Sequence, residues 1–404
     1  MLHLSLPAHY ILELTALCNN QCVGCGNVYS HRLSSSMEVS SWKTLITSFG
    51  DQAEQITLSG GEPTLYPDFF TILRIATSYK ALVNVFTNGR WHNPHEVVSQ
   101  LREQPNLDGL LISLHGATSA SHETFTRVKG SFTETLDNIA LATSYGINVK
   151  LSTIITHQNW DEIEKIVMLT QQLGAECVTF PRYIGPTLPG IEPSPEESYA
   201  AVQQIETLIA SGAPVEYGIC IPQCFTQNGS KGCTAGAAYI AIDPWGNVRP
   251  CNFSPTVIGS LHEHSMHDLW HSDKMNAWRA LMPVECTTCA AYSICHGGCR
   301  AVQELRPDGR DPLRDKPLTE YTPAQEIKEL PSSVRPRRNF RIREEKFGYA
   351  LLGQGQAVPV APDAWEIVNA CDGAMSFAEL AARFGQSGLD LLGELWELGM
   401  LDAA

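Results

Sequence analysis

Charge is scarce in this chain and positive charge scarcer still: 18% of the 404 residues are Asp, Glu, Lys or Arg, with 28 Lys+Arg against 43 Asp+Glu and a formal charge of -15. An acidic balance opposes nonspecific attraction to phosphate backbones, which sets nucleic acid aside as a main partner. Long apolar runs are missing too. No window approaches the roughly 18 apolar residues of a membrane span, and Met1 to Leu14 has no basic n-region and carries Glu13 inside its apolar run. Neither a membrane segment nor an export signal is expected, and the chain is placed in the cytoplasm. Internal repeats and low-complexity tracts are absent, and Gly and Pro are spread along the chain, which excludes fibrous and disordered classes. At roughly 150 residues per domain, the length suits two or three domains.

Cysteine, by contrast, is plentiful, with 13 residues. In a reducing cytosol these favour metal ligation over disulfides. Cys18, Cys22 and Cys25 form one group; Cys220, Cys224, Cys233 and Cys251 a second; Cys286, Cys289, Cys295 and Cys299 a third. Cys177, in an apolar run, and Cys371, on the apolar side of a helix with Ala364 and Val368, are expected to be buried, inert thiols.

From Tyr10 to about Arg182, short β-branched runs alternate with stretches of helical period, the pattern of βαβ units and a parallel sheet. Strands are predicted near Tyr10 to Thr15, Gln55 to Leu58, Leu82 to Phe86, Leu110 to Leu114, Asn148 to Ile155 and Cys177 to Phe180. Six strands with five helical stretches predict an α/β fold, a partial (β/α)6 TIM-like barrel. Its strand ends carry the Cys18 loop, Ser59-Gly60-Gly61-Glu62-Pro63, Thr87-Asn88-Gly89, Ser113 with His115, and Arg182. In parallel barrels that face builds the active site. The expected organisation is a barrel over 1–210, a cysteine-rich domain over 211–304, a charged, Pro-rich linker over 305–335, and a small winged-helix-like module over 336–404. Asp243-Pro244-Trp245-Gly246 reads as a hairpin turn in the second part and Ser376 with Glu379 as a capping box in the last.

Cys18-x3-Cys22-x2-Cys25 supplies three thiolates in a loop directly after a strand. A cubane held by three cysteines leaves one iron without a protein ligand, whereas structural zinc normally takes four. Together with the Gly60-Gly61-Glu62-Pro63 turn, Thr87-Asn88-Gly89 and the strand order, the triplet resembles the radical S-adenosylmethionine (radical SAM) enzymes over roughly residues 8 to 182. The resemblance implies a [4Fe-4S] cluster on Cys18, Cys22 and Cys25, SAM bound at its open iron, and a 5'-deoxyadenosyl radical. It implies further that Gly60, Gly61, Glu62 and Asn88 lie near SAM, with Ser113 and Arg127 near its carboxylate or ribose. One departure stands out: the position before the third cysteine, usually aromatic, is Gly24.

Cys286-x2-Cys289-x5-Cys295-x3-Cys299, preceded by Cys233-x12-Gly246-x4-Cys251, resembles the SPASM extension of these enzymes, which holds one or two auxiliary [4Fe-4S] clusters. The resemblance groups Cys233, Cys251 and Cys299 with either Cys224 or Cys220, and Cys286, Cys289 and Cys295 in a second cluster. The late cysteine of the family pattern is missing there, so that cluster has an open iron, takes Cys220, or uses another ligand. Zinc at the Cys286 quartet stays open as an alternative.

Residues 338 to 404, through Tyr349-Ala350-Leu351-Leu352, Asn369 to Gly373 and Leu395 to Leu401, resemble the RiPP recognition element of the PQQ-peptide-chaperone type, in which a leader peptide joins a sheet edge. The run Arg335, Arg337, Arg338, Arg341 and Arg343 could meet an acidic leader or be a solvated linker. The combined resemblance implies an enzyme modifying a ribosomal precursor peptide, fed electrons by a flavodoxin or ferredoxin, and leans toward a splicease that excises a tyramine unit to leave a β-amino acid. His115 is a candidate for proton transfer, and Arg182 and Tyr183 for substrate contact. Alternatives are a thioether or carbon-carbon crosslinking maturase, a sulfatase-maturase-like enzyme acting on a folded protein, and a DNA-binding iron-sulfur sensor.

Overall fold

The computed structural model describes residues 2–27, 35–218, 221–226, 232–306, 308–321 and 330–404. Cys220 lies outside the described residues. The apolar runs become parallel strands β1 (His9–Glu13), β2 (Gln55–Ser59), β3 (Leu82–Thr87), β4 (Leu107–Ser113), β5 (Val149–Ser152) and β6 (Cys177–Phe180). β1 and β2 are buried along most of their length, with Ile56, Thr57 and Leu58 fully enclosed, whereas β3 and β5 alternate buried and half-buried residues. The helix Val39–Phe49 buries Trp42, Ile46 and Phe49 along one stripe, and Tyr10 stacks on Phe49 with ring centroids 3.8 Å apart. Capping boxes at Thr118 and Ser194 open the helices Ser119–Thr126 and Pro195–Ala210.

The partial barrel is as expected, but its sheet runs on at both ends. β7 (Val215–Tyr217) pairs in parallel with β6, and β8 (Tyr239–Ile242) in parallel with β1. β9 (Asn247–Arg249) returns antiparallel to β8, and β10 (Gly259–Ser260) follows, giving ten strands in the order β10-β9-β8-β1-β2-β3-β4-β5-β6-β7. The hairpin expected at Asp243 to Gly246 is therefore no separate sheet. It covers the edge of β1, whose unpaired backbone groups would otherwise face water. A buried ion pair pins the junction: Glu13 at the end of β1 meets Arg249 of β9, and Arg249 Nη1 also donates to the carbonyls of Asn252 and Ser254.

Residues 308–321, in the stretch read as linker, form a largely exposed strap pinned at two buried points. Asp311 and Leu313 are buried, and both carboxylate oxygens of Asp311 accept from Arg182 Nη1 at 2.7 Å.

The last part has antiparallel strands β12 (Arg341–Glu345), β13 (Gly348–Gly353) and β14 (Gln356–Val360) in that order. A short helix, Trp365–Asn369, comes next, then Phe377–Glu397, broken at Gly385 into two. The expected Ser376–Glu379 capping box is in place. β11 (Pro336–Arg338) pairs with β15 (Leu401–Ala403) and closes the unit; three-residue strands carry no readable period. Cys371 is fully buried in this core. The unit sits on the strand starts of the barrel: Leu4 and Ala8 pack with Ala350 and Leu352, Arg341 binds the Glu54 carboxylate, and Arg343 donates to the Leu6 carbonyl at 2.8 Å. Two of the five arginines of the basic run are thus barrel anchors. No helix among the described residues is long and apolar enough to cross a membrane.

Candidate active site and iron-sulfur sites

The Cys18 loop leaves β1 and is fastened by its backbone. Gln21 N–H donates to the Thr126 carbonyl at 3.0 Å and Val23 N–H to that of Phe125 at 2.8 Å, docking the loop on the last turn of helix Ser119–Thr126. On its other side, Gly61 N–H donates to Thr15 O at 2.7 Å and Glu62 N–H to Leu17 O at 2.8 Å. That approach demands glycine: a Cβ at Gly61 would lie 2.1 Å from the Leu17 oxygen, and Gly60 has φ +135°. The three thiols range from half-buried Cys18 and Cys22 to exposed Cys25. Burial pushes the Cys18 thiol up to about 11 and Cys22 higher, with Cys25 adding to both. Such a set is all sulfur and at one mouth, which fits iron-sulfur ligation; binding replaces the thiol protons with metal.

Glu62 is fully buried and engaged within its own turn. Its carboxylate accepts from Thr64 Oγ1 at 2.6 Å, Thr87 Oγ1 at 2.8 Å and Asn88 N–H at 2.8 Å. Burial raises its pKa, and these bonds oppose the rise. It clamps the ends of β2 and β3 together. Asn88 Nδ2 reaches Asn19 Oδ1 at 2.6 Å and approaches Cys18 Sγ at 3.7 Å. Ser113, half-buried, ends β4, and Arg127, exposed, follows Thr126 in the left-handed region at φ 58°. Arg90 went unnoticed in the sequence although it directly follows Thr87-Asn88-Gly89. Its Nη1 donates to Asn19 O at 2.8 Å and Asn20 Oδ1 at 2.7 Å, and its Nε pairs with Glu134 at 2.7 Å.

Two aromatic rings flank Cys25. Tyr183 occupies the space beside Gly24, where a Cβ would stand 2.7 Å from its Cε2. Phe253, two residues after Cys251, packs against Gly26 in the same way. Tyr183 is buried, donates to the Pro186 carbonyl at 3.0 Å, and is pushed up to about 12 by burial.

The other two sequence candidates are not presented to the mouth. Arg182 is 5% exposed and paired with Asp311, a partner 129 residues away that no local pattern could name. His115 is buried with its ring 4.3 Å from that of Phe125, and its backbone N–H donates to His122 Nδ1 at 3.1 Å. Burial pulls His115 from the ordinary 6.5 to about 3, and His9 and His122 to about 4. All three rings fold neutral, so His115 offers no imidazolium acid near neutrality. As pH falls below about 6.5 the unfolded chain takes up protons first. The stability these rings contribute is thus whole above that pH and lost toward pH 4, at about 1.4 kcal/mol per pH unit for each. Urea midpoints should fall from pH 7 to 5, and His115→Gln should make that fall shallower.

The remaining cysteines fall into the two expected groups, with Cys224, one of the two candidates for the first, standing beside the second. Cys233, Cys251 and Cys299 share one packed cluster with Trp278 and Ile184. Cys251 accepts from Tyr239 Oη at 3.2 Å, and its thiol is raised by burial and by Cys233 and Cys299. Cys224 is not with them. It lines a cavity of about 320 Å³ with Cys286, Cys289 and Cys295, and burial, with Cys295 and Cys286 adding, pushes its thiol up to about 11. Cys177 is buried in β6 and Cys371 in the C-terminal core, as expected.

Residues 12–170 match the Radical SAM superfamily and residues 233–300 the SPASM iron-sulfur cluster-binding domain. The chain is 29% identical over 344 residues to the AdoMet-dependent heme synthase of Methanosarcina barkeri, spanning 78% of this chain and 96% of that protein. It is 26% identical to the PqqA peptide cyclase of Ruegeria pomeroyi (78% and 88%) and 30% identical to the mycofactocin maturase MftC of Mycobacterium tuberculosis (76% and 83%). Its fold matches that of Streptococcus suis SuiB bound to its precursor peptide SuiA, with a TM-score of 0.65 at 17% identity over 77% of this chain and 76% of SuiB. A three-thiol loop at the strand ends of a partial barrel, followed by a second cysteine-lined region, is thereby accounted for: the chain belongs to the radical SAM superfamily with a SPASM domain, an enzyme using SAM, a [4Fe-4S] cluster and auxiliary iron-sulfur clusters.

Proposed function

We propose that this enzyme modifies a ribosomally synthesised precursor peptide, with Cys18, Cys22 and Cys25 holding the radical SAM cluster. The observation that carries the peptide reading is the C-terminal sheet. β12 faces the barrel through Arg341 and Arg343, whereas β14 is the outer strand on the other side, with no described strand beyond it. A strand edge of this kind can take an extended leader peptide by β-augmentation. The PqqA peptide cyclase among the relatives supports the same substrate class.

When bound, the cluster and SAM supply a 5'-deoxyadenosyl radical that takes a hydrogen atom from the substrate. The protein's part is to hold and orient. The Gly60-Gly61 backbone, kept against the Cys18 loop by the Glu62 clamp, lines the SAM site with Asn88, Ser113 and Arg127 at its rim. The Tyr183 ring takes the aromatic place that Gly24 leaves open. Arg182 positions the strap through Asp311 and touches no substrate. Electrons come from a flavodoxin- or ferredoxin-type donor, and Cys233, Cys251 and Cys299 belong to an auxiliary cluster.

The finer reading is excision of a tyrosine-derived unit, supported by the fusion of barrel and recognition module in one chain. Anaerobic co-expression with the peptide encoded beside this gene, followed by mass analysis, tests both levels. Loss of a tyramine-sized fragment is expected; loss of two hydrogens means a crosslink, unchanged mass with altered chirality an epimer. An unmodified peptide, with SAM cleavage intact, would overturn the peptide reading.

A further inference from the structure

Four thiols, not three, surround the cavity beneath the strap. The strap is held down by the buried Arg182–Asp311 pair, and its backbone addresses the sulfurs: Asp315 N–H donates to Cys224 Sγ at 3.3 Å and Leu318 N–H to Cys289 Sγ at 3.4 Å. Arg314 lowers the Cys286 thiol against the rise caused by burial. Cys371, the one cysteine later in the chain than the quartet, is enclosed in the C-terminal core with its Sγ 3.5 Å from the Ile367 carbonyl. It cannot serve this cavity. The four thiols line a cavity of about 320 Å³, room for a polynuclear cluster.

We propose that Cys224, from the amino-terminal side of the domain, is the fourth ligand of the cluster held by Cys286, Cys289 and Cys295, making this centre a closed four-thiolate [4Fe-4S] site. With every iron bound to sulfur from the protein, it has no position for substrate and serves as an electron carrier. The two strap N–H bonds to sulfur stabilise the reduced, more negative cluster, one of the means by which a protein sets a cluster potential. The inference needs only the iron-sulfur content of the family and stands whether or not the substrate is a peptide.

The test isolates this centre. A chain with Cys18, Cys22, Cys25, Cys233, Cys251 and Cys299 replaced by alanine, reconstituted anaerobically, should hold about four iron and four sulfide. The EPR spectrum of its reduced cluster should be unmoved by cyanide. Adding Cys224→Ala should open one iron, so that cyanide now shifts the spectrum, while adding Cys220→Ala should change nothing. A cyanide-sensitive cluster with Cys224 present, or opening by Cys220→Ala instead, would overturn the assignment. Should the six-fold variant fail to fold, single variants of the otherwise intact chain answer the same question. The EPR change from Cys224→Ala should add to that from Cys251→Ala but not to that from Cys295→Ala. The reverse pattern places Cys224 in the other centre and sinks the proposal.

Discussion

Replacing Cys18, Cys22 and Cys25 together with alanine is expected to abolish SAM cleavage while leaving the fold in place. Formation of 5'-deoxyadenosine by dithionite-reduced protein should drop to background, a loss of the whole catalytic factor, at least about 10⁶-fold on the scale of ordinary enzymes. Iron should fall by about four per chain. The fold should persist because the loop is fastened through backbone bonds, from Gln21 and Val23 to the helix end and from Gly61 and Glu62 to Thr15 and Leu17, none of which uses a thiol. Far-ultraviolet circular dichroism should be unchanged. A triple variant that still forms 5'-deoxyadenosine would move the radical site away from this mouth.

A second large effect is expected at the opposite end of the barrel. Pro359 pairs with Ala350 in the β13–β14 ladder; lacking an N–H, it occupies a position whose donor would point away from β13. Ala357, two residues earlier, shares that phase, so its N–H faces the open edge where a peptide strand would add. Ala357→Pro removes the donor without removing a ladder bond. On the proposed function, kcat/KM for a leader-bearing precursor should fall about 100-fold through the lost effective concentration of the core peptide. Leaderless peptide and peptide-free SAM cleavage should be unaffected, the latter because this edge lies at the strand starts and the cysteine mouth at the strand ends. An unchanged kcat/KM would take the leader off β14.

The departures from the sequence reading have one physical character. The resemblance implied Glu62 near SAM but could not show that its oxygens are held by Thr64, Thr87 and Asn88. Arg182 looked available because it follows β6 directly, and only the return of the chain at Asp311 occupies it. Gly24 left a missing ring that Tyr183 fills from another strand end. Phe253 had no signal beyond its place two residues after Cys251.

What the amino-acid order determined by itself is everything whose partners lie within a few residues. The Cys18, Cys22 and Cys25 loop, the glycine turn at Gly60 and Gly61, the strand and helix periods and the capping boxes all follow from spacing along one chain segment. Tertiary structure alone decided which thiols lie beside one another, which charge faces Arg182, and how β8 comes to shield β1. Those contacts join residues tens to hundreds apart, and no local periodicity records them; burial and loss of water select them only once the whole sheet has closed.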